Sequence, residues 1–400
     1  MLCYYIFFRI FTLNLKTGKK RAGMIPPIQC FVNAGSGLIA LGDRTERPAF
    51  CNERLPGEQP GGAEPWTYGA YLGTVARLLS RNSFNVLKKI LKRQPRPAPE
   101  LEDASDIRLI SEKHGAICCV SCLQIQFVGD IRSFAVNCAF SAEQQAFIGV
   151  EVKLLSALHS RFGLPFLPLP FVSAGAPGLK LFVAEWFENH QEFHLAGGSA
   201  GDPSMAVWGQ DGRRRLLDRE KTIELYAQAS EILTSYLDSR SFSQIYPWHH
   251  AAGDFVIDDS RNPPSLRLTT VRGYRPLLSR KSGSKDRMLG SLHYFVNLSI
   301  RMRIDRLDGT GELAWAGPEC LAGVIRGFAA AWQEKGKKGG LPEAEEIFAL
   351  FLALSPDQRL DFCGAVAEAG LVEADEGNFL CPRLPGHVAE LSDALENFAM

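Results

Sequence analysis

The most informative stretch of the chain is Tyr246-Pro247-Trp248-His249-His250-Ala251-Ala252-Gly253-Asp254-Phe255-Val256-Ile257. Its polar and aromatic part ends at Gly253 and Asp254, where an apolar run begins. A second apolar run, within residues 266–274, follows after a polar turn that contains two prolines. Two short apolar runs joined by a turn predict a small β-hairpin whose first strand starts directly after Asp254.

Two interpretations of this loop stay open. In the functional one, the loop belongs to a catalytic or phosphate-binding site in which Asp254 is a general base and His250 orients the backbone. In the structural one, the loop is a tight turn at a strand entry, where Gly253 permits a positive φ, a histidine is buried and Asp254 caps the turn. The residue types are compatible with both interpretations.

The segments before the loop follow a distinctive order. Alternating β-branched and aromatic residues over 107–140 predict an antiparallel meander, and residues 141–159 have the spacing of a helix with one buried face. Two apolar runs, 166–172 and 179–186, predict further strands. An amphipathic helix over 219–237 then leads towards the loop.

This order of strands, one helix, strands, a long helix and a histidine-containing loop resembles the protein kinase-like superfamily, in particular its aminoglycoside and choline kinase branch. The likeness covers residues 107–307. It implies that Asp254 accepts the proton of a substrate hydroxyl, with His250 in the same loop. It also implies that Asp259, five positions later where the family has Asn, holds a metal ion.

The resemblance assigns roles to three residues of the strand-rich part as well. Glu185 lies in the segment 181–188, which resembles the strand and hinge that present backbone groups to an adenine ring. Glu151 lies in the predicted helix, where such folds keep the Glu that pairs with the phosphate-binding lysine. Asn137 stands at the position of that lysine. The cofactors implied by the resemblance are ATP and Mg²⁺.

The chain also departs from the family's pattern. The side chain of Asn137 is neutral, so it does not offset phosphate charge as a lysine does. Residues 266–272 lack the acidic residue that the family uses to hold metal, and the turn at 127–131 has one glycine instead of a Gly-rich loop. A displaced register is the alternative, and it places Asp254 at the family's Asn and His249 at the position of the base.

Composition and charge limit the partners. Lys plus Arg total 44 and Asp plus Glu total 44, so the formal net charge is zero and no global field attracts nucleic acid. Ten cysteines in 400 residues are too dilute for a disulfide scaffold. Cys119 and Cys122 have C-x-x-C spacing without a second pair, which favours buried strand thiols over a zinc or redox site. We therefore expect a cytoplasmic location and no nucleic-acid partner.

The first residues do not have the pattern of a secretory signal. An apolar stretch at 1–15 is followed by a basic cluster, which is the reverse of the order in a signal peptide. The stretch is also shorter than the roughly 20 apolar residues of a membrane-spanning helix. Met24 is a candidate start, which would make residues 1–24 a non-native or flexible segment. We expect no integral membrane span in the chain.

Two polar clusters allow two interpretations each. The interleaved acidic and basic residues of 301–312 predict either an ion-pair network that ties a helix to its neighbour or a guanidinium group that binds an anionic substrate. His190, Glu192 and His194 alternate along an extended stretch, so they share one face. They are interpreted either as surface polar residues or as residues that line the mouth of a cleft.

The expected fold class is α+β, with a kinase-like core made of a small antiparallel sheet lobe and a mainly helical lobe. The predicted segments are a start (1–24), an irregular and partly helical extension (25–104), a strand-rich lobe (105–188), a helical lobe with the hairpin (189–310) and C-terminal helices (311–400). The expected function is phosphate transfer from ATP to a small hydroxylated acceptor, such as a sugar or an aminoglycoside. The alternatives are a catalytically inactive kinase-like module that binds a ligand or a protein partner, and a helical adaptor without a small-molecule site.

Overall fold

The computed structural model has the expected α+β fold and divides into two compact units. The sheet unit comprises Met1–Ser160, Pro168–Glu188 and Gly209–Arg213, and the helix unit comprises Arg161–Leu167, Asn189–Trp208 and Arg214–Met400. The structure describes residues 24–33, 37–41, 66–97, 99–114, 118–197, 203–209, 213–248, 253–277, 284–309, 311–339, 341–372 and 375–398. Across these ranges, no helix combines the length and the apolar character that crossing a bilayer requires.

One seven-stranded sheet organises the described part of the sheet unit, in the strand order β2-β1-β3-β4-β5-β7-β6. The elements are β1 (Ile28–Asn33), β2 (Leu38–Ala40), α1 (Tyr68–Arg93), β3 (Asp106–His114), β4 (Cys119–Phe127), β5 (Asp130–Ala139), α2 (Ala142–Phe162), β6 (Pro170–Ala176) and β7 (Leu179–Glu185). Strands β3, β4 and β5 form the predicted antiparallel meander, and the hairpin β6–β7 adds to it through β7 and β5.

Strands β1 and β2 come from a segment that the sequence pattern describes as irregular. β1 pairs in parallel with β3, with Ile28 opposite Ile107 and Val32 opposite Ser111. The two strands are far apart in sequence, and β1 has no clear alternation of its own. Its strand conformation therefore depends on hydrogen bonds to β3, which local periodicity does not report.

Alternation along the strands decides which face of the sheet is covered. Phe134, Val136 and Cys138 of β5 are fully buried in a core that also contains Tyr71 and Val75 of α1. The Tyr71 hydroxyl and the Oγ of Ser121 on β4 are 2.6 Å apart in a buried hydrogen bond. Successive side chains of a strand point to opposite faces, so the intervening residues of β5 face away from α1.

Helix α1, which lies in the segment predicted to be irregular and partly helical, is interrupted near its middle. Asn82, Ser83 and Phe84 have φ values of 51°, 55° and 61°, in the left-handed region. Left-handed residues break the i→i−4 hydrogen-bond ladder, so the helix is divided into two parts. Both parts still bury apolar side chains in the core of the sheet unit, for example Leu79 before the break and Leu87 after it.

Short strands and helices make up the described part of the helix unit. They are β8 (Phe193–Gly197), β9 (Pro203–Trp208), β10 (Arg214–Leu216), α3 (Arg219–Ser235), β11 (Gln244–Ile245), β12 (Phe255–Asp258), β13 (Ser265–Leu268), β14 (Tyr274–Arg275), α4 (Ser284–Arg301), β15 (Ile304–Arg306), β16 (Leu313–Trp315), α5 (Glu319–Gly339), α6 (Ala344–Ala353), α7 (Pro356–Ala369), α8 (Glu376–Leu380) and α9 (Leu384–Phe398). Strands β12 and β13 form the hairpin that the two apolar runs predict.

Helices α3 and α5 approach each other closely because two glycines of α5 face the backbone of α3. A Cβ atom added at Gly323 would collide with the Ile223 carbonyl oxygen, and one added at Gly327 would overlap the Ala227 carbonyl. The Oγ of Ser230 donates a 2.9 Å hydrogen bond to the Val324 carbonyl across the same contact. Small side chains therefore set the distance between the two helix axes.

Buried ion pairs fill the region after α4, as the network interpretation of residues 301–312 predicts. The Nη1 atom of Arg301 lies 2.6 Å from the carboxylate of Glu376, and both side chains are almost completely buried. Arg303 pairs with Glu390 and stacks over the ring of Trp315 at 4.6 Å. These two guanidinium groups bind acidic side chains of the protein itself.

His194 is buried between two carboxylates, so it is neither a surface residue nor exposed at a cleft mouth. Its Nδ1 lies 3.7 Å from Asp305, and its Nε2 lies 3.7 Å from Glu192. Burial by itself lowers the pKa of His194, but the two carboxylates outweigh burial and raise the pKa to about 9. The imidazole is therefore charged at neutral pH.

We expect Gly327→Ala to lower the free energy of unfolding by about 3 kcal/mol, because the new methyl group overlaps the α3 backbone. Gly336→Ala is the matched control on the same helix, where an added Cβ meets open space. It should raise the free energy of unfolding by up to about 1 kcal/mol through helix propensity. Urea denaturation followed by circular dichroism measures both, and equal effects of the two substitutions would contradict the close helix contact.

We expect His194 to make stability depend on pH between its unfolded pKa and its folded pKa. Because the folded pKa is raised to about 9, the contribution is complete below about pH 6.5 and disappears as the pH rises through 9. The linkage amounts to about 3 kcal/mol. Urea denaturation of the wild type and of His194→Gln should therefore give curves that converge as the pH rises from 6.5 to 9. Parallel curves across this range would show that His194 is not held in its charged form.

Candidate functional site

The hairpin β12–β13 carries the residues around Asp254. Gly253 has a φ of 67°, a left-handed conformation that turns the chain into β12. The Thr269 backbone N–H donates to the Asp254 carbonyl at 2.6 Å, and its hydroxyl lies 3.0 Å from the carbonyl oxygens of Gly253 and Asp254. The entry to β12 is therefore held by the residue that follows β13.

Helix α3 supports the hairpin from its other end. The Gln228 side chain donates to the Pro264 carbonyl at 2.7 Å and accepts from the Leu266 N–H at 3.0 Å. One amide side chain thus satisfies two backbone groups in the turn between β12 and β13. This contact ties the position of the hairpin to that of α3.

Asp254 is buried and ion-paired. Its side chain is 2% exposed, and its Oδ1 lies 2.7 Å from the Nη2 of Arg272, which follows β13. Such charge-assisted hydrogen bonds are among the stronger ones in proteins. Asp254 is therefore compatible with both interpretations of this loop. It is a candidate reactive group, and it is also a member of a buried ion pair.

The other two aspartates of the hairpin have the same kind of partner. The Asp258 carboxylate accepts from the Arg261 Nε at 2.7 Å and from the Ser260 hydroxyl at 2.5 Å. Burial raises the pKa of Asp258, but these hydrogen bonds outweigh it, and the pKa is lowered overall. Asp259 forms an ion pair with Arg215 of β10.

These pairs bear on the predicted metal ligands. A carboxylate that binds Mg²⁺ directs its oxygens at the cation, and a guanidinium beside it competes for those oxygens and repels the metal. Asp254 and Asp259 as arranged do not fit a divalent cation, and no group of three or more candidate ligands is found within the described ranges. The role of Asp259 as a metal ligand stays a prediction that this arrangement does not favour.

His249 and His250 lie outside the described residues, so the predicted roles of both histidines stay predictions. Trp248, just before them, is 3% exposed and contacts Phe255 of β12 edge to face, with ring centroids 6.1 Å apart. The chain is therefore anchored by aromatic packing on the N-terminal side of the loop and by the Asp254 pair on its C-terminal side.

The remaining predicted site residues belong to the sheet unit. Asn137 lies on β5 opposite Phe182 of β7, on the face turned away from α1. Glu151 is a buried residue of α2. Glu185 ends β7, and both its backbone N–H and its carboxylate are hydrogen-bonded to backbone groups of Leu169. The adenine-binding role of the hinge segment stays a prediction.

Lys180 is a functional candidate that the sequence analysis does not single out. It lies on β7 opposite Ala139, so it shares the face of Asn137, one strand away. Its Nζ donates to the Gln145 carbonyl of α2 at 3.1 Å, and Gly149 leaves room for the ammonium group, since a Cβ there would be 2.5 Å from it. The signal in the sequence is a lysine placed near the start of a largely apolar strand.

The thiols of β4 are buried, as predicted. Cys119 and Cys122 are three residues apart on one strand, so their side chains point to opposite faces. Burial raises the pKa of both thiols well above the ordinary value. A thiol held protonated in this way is a poor nucleophile and a poor metal ligand.

Comparison with known proteins adds no functional assignment. No protein-family model matches the chain, and no curated protein matches its sequence.

We expect Asp254→Asn to lower the free energy of unfolding by about 2 kcal/mol, because it leaves the largely buried Arg272 without its carboxylate. Asp259→Asn is the matched control, since its partner Arg215 is 59% exposed and can be hydrated. Its effect should stay below about 1 kcal/mol. Urea denaturation of the two variants measures the difference, and an Asp254→Asn variant as stable as the wild type would contradict a structural role for the pair.

Proposed function

We propose that the chain is a kinase-like module that binds a phosphate-bearing ligand of the nucleotide class and does not transfer its phosphate. One observation carries the proposal: Asp254 and Asp259, the two aspartates to which the resemblance assigns the chemistry, are each ion-paired with an arginine. A guanidinium paired with a carboxylate occupies an oxygen that a general base would need to accept the proton of a substrate hydroxyl.

The order of elements supports the kinase-like part of the proposal. In the sheet unit, a three-stranded meander is followed by α2 and by the hairpin β6–β7, whose second strand pairs with β5. In the helix unit, α3 precedes the loop and the hairpin β12–β13. Both orders are compatible with the strand-rich lobe and the catalytic-loop hairpin that the resemblance implies. The two-lobed arrangement itself is part of the proposal.

The charged residues favour binding over transfer. Phosphoryl transfer is accelerated mainly by positioning and by cations that offset the developing negative charge. Asn137 supplies no cation at the predicted lysine position, and residues 266–272 contain no carboxylate that could hold a metal. Binding of a phosphate group requires hydrogen-bond donors and positive charge but neither a general base nor a metal, and guanidinium groups, which are frequent around the hairpin, are suited to it.

Lys180 favours a second candidate function, an ATP-dependent phosphotransferase that acts on a small hydroxylated acceptor. Its ammonium group lies on the same sheet face as Asn137, one strand away, where it offers a cation that Asn137 does not. In this candidate Asp254 is the base, and Asp259 contributes to Mg²⁺ binding once Arg215 moves away. The two candidates therefore differ in whether the aspartates leave their arginine partners.

Thermal unfolding of the full chain with ATP, ADP or adenosine tests the binding. A ligand present at about 100 times its Kd adds about 2.7 kcal/mol to the stability of the folded state. We expect ATP and ADP to raise the melting temperature and adenosine, which lacks phosphate, to leave it unchanged. A chain that melts at the same temperature with all three compounds would overturn the proposal.

Release of ADP from ATP and Mg²⁺, measured with a panel of sugars and aminoglycosides, separates the two candidates. We expect no acceptor-dependent release above buffer. If release does occur, Lys180→Met should abolish it and Lys153→Met, which changes an exposed lysine of α2, should not. That result would overturn the binding module and favour the phosphotransferase.

A further inference from the structure

The turn between β4 and β5 exposes apolar side chains at a position where turns are usually polar. Val128 is 97% exposed, which is more than any other large apolar side chain in the described ranges, and Ile131 is 53% exposed. Gly129 has a φ of 76°, so the chain reverses sharply and leaves Val128 at the very end of the hairpin. Glycine and polar residues dominate such turns, so two exposed apolar side chains at a convex tip indicate a partner that buries them.

Exposed basic side chains continue from the end of α1 into the next segment. They are Lys89, Lys92, Arg93 and Arg96. None of the four has a carboxylate within ion-pair distance in the part of the chain that the structure describes, where Lys88 pairs with Glu102 instead. Two exposed acidic residues, Glu100 and Asp103, follow them. The exposed charge of this segment is therefore positive on balance.

Arg132 joins the turn to this basic segment. It directly follows Ile131, and its Nη1 donates to the Gln94 side chain at 3.0 Å while its Nη2 donates to the Pro97 carbonyl at 3.1 Å. Gln94 and Pro97 stand on either side of Arg96 in the sequence. The apolar turn and the basic segment therefore lie at the same end of the sheet unit.

We propose that the turn with Val128 and Ile131 and the basic segment 89–96 form a docking surface for an anionic lipid bilayer. The apolar side chains enter the boundary between headgroups and acyl chains, roughly 5–10 Å deep, and the basic side chains contact the phosphates of the headgroups. This inference goes beyond the proposed function and does not depend on it.

Two of the basic side chains converge on one hollow. Lys92 and Arg96 both line a cavity of about 120 Å³, together with Pro97 and Leu101. Pockets for drug-sized ligands have roughly 300–1,000 Å³, so this cavity suits a single headgroup phosphate instead. Both cations donate charge-assisted hydrogen bonds to phosphate oxygens.

A bilayer fits these features better than a protein or a nucleic acid does. A convex turn presents no groove or flat face to a folded partner, whereas lipids rearrange around an inserted side chain. A nucleic acid attracts the basic side chains but has no apolar interior that takes up Val128. An anionic leaflet offers both the negative charge and the apolar interior.

Sedimentation of the full chain with large unilamellar vesicles tests the proposal. We expect binding to vesicles of phosphatidylcholine that contain about 30% phosphatidylserine, and no binding to phosphatidylcholine alone, because the basic segment requires anionic lipid. Binding should weaken as NaCl rises from about 0.1 M to about 0.5 M, because salt screens the attraction.

Two matched pairs of variants locate the surface. Val128→Ser should weaken binding to the mixed vesicles by about tenfold, the loss of one buried apolar side chain. Its control is Val150→Ser on α2, where the valine is 52% exposed. The double variant Lys92→Gln, Arg96→Gln should weaken binding by about fivefold for each charge. Its control is Lys153→Gln, and both controls should bind like the wild type.

Fluorescence reports insertion of the turn directly. Val128→Trp should add emission that lipids brominated in their acyl chains quench, because the indole reaches the acyl boundary. Val150→Trp is the control, and its added emission should stay unquenched. Both valines are exposed, so neither substitution removes a core contact and both variants should fold.

Each outcome decides for or against the docking surface. Weaker vesicle binding of Val128→Ser together with quenched emission of Val128→Trp supports it. Equal vesicle binding of Val128→Ser and the wild type, or unquenched emission of Val128→Trp, overturns it. Tighter binding to a DNA duplex than to the mixed vesicles overturns the lipid partner and favours nucleic acid. The proposed nucleotide binding is measured separately by thermal unfolding, so failure of one proposal leaves the other in place.

Discussion

Helices α3 and α5 touch backbone to backbone at Gly327, and the geometry of the hairpin depends on this contact. The contact fixes α3, and Gln228 of α3 holds the turn of the hairpin through two hydrogen bonds to backbone groups. Through Thr269 the hairpin in turn fixes the backbone of Asp254 at the entry to β12. A continuous series of packing contacts and hydrogen bonds thus connects a glycine on one helix to a buried carboxylate and its arginine.

Arginine is the recurring counter-ion of the helix unit. It pairs with all three aspartates of the hairpin and also with Glu376 and Glu390 in the buried region after α4. A guanidinium keeps its charge at every physiological pH and satisfies several acceptors at once. These five acidic groups are therefore neutralised within the protein.

Secondary-structure elements with a clear local sequence pattern were predicted correctly. The two apolar runs around the turn with two prolines predict the hairpin β12–β13, and the alternation over 107–140 predicts the meander β3–β5. The isolated C-x-x-C spacing and the strand pattern around it predict buried thiols. For the candidate site, the sequence pointed to Asp254 but not to Arg272, since a residue 18 positions away in the chain carries no local signal of the pairing. Lys180 was missed for a related reason, because it shares a sheet face with Asn137 only when β7 pairs with β5.

The amino-acid sequence by itself determined the type and order of the elements from β3 to β7, of α3 and of the hairpin β12–β13, because apolar periodicity and turn residues act over a few neighbouring positions. Only the tertiary structure decided that β1 joins the sheet, that His194 lies between two carboxylates and that the hairpin aspartates face arginines. These features depend on pairs that are distant in the chain and on burial, which changes the energy of a charge according to what surrounds it. The chemical role of a carboxylate in this chain depends on the group that is paired with it, and the tertiary structure determines which group that is.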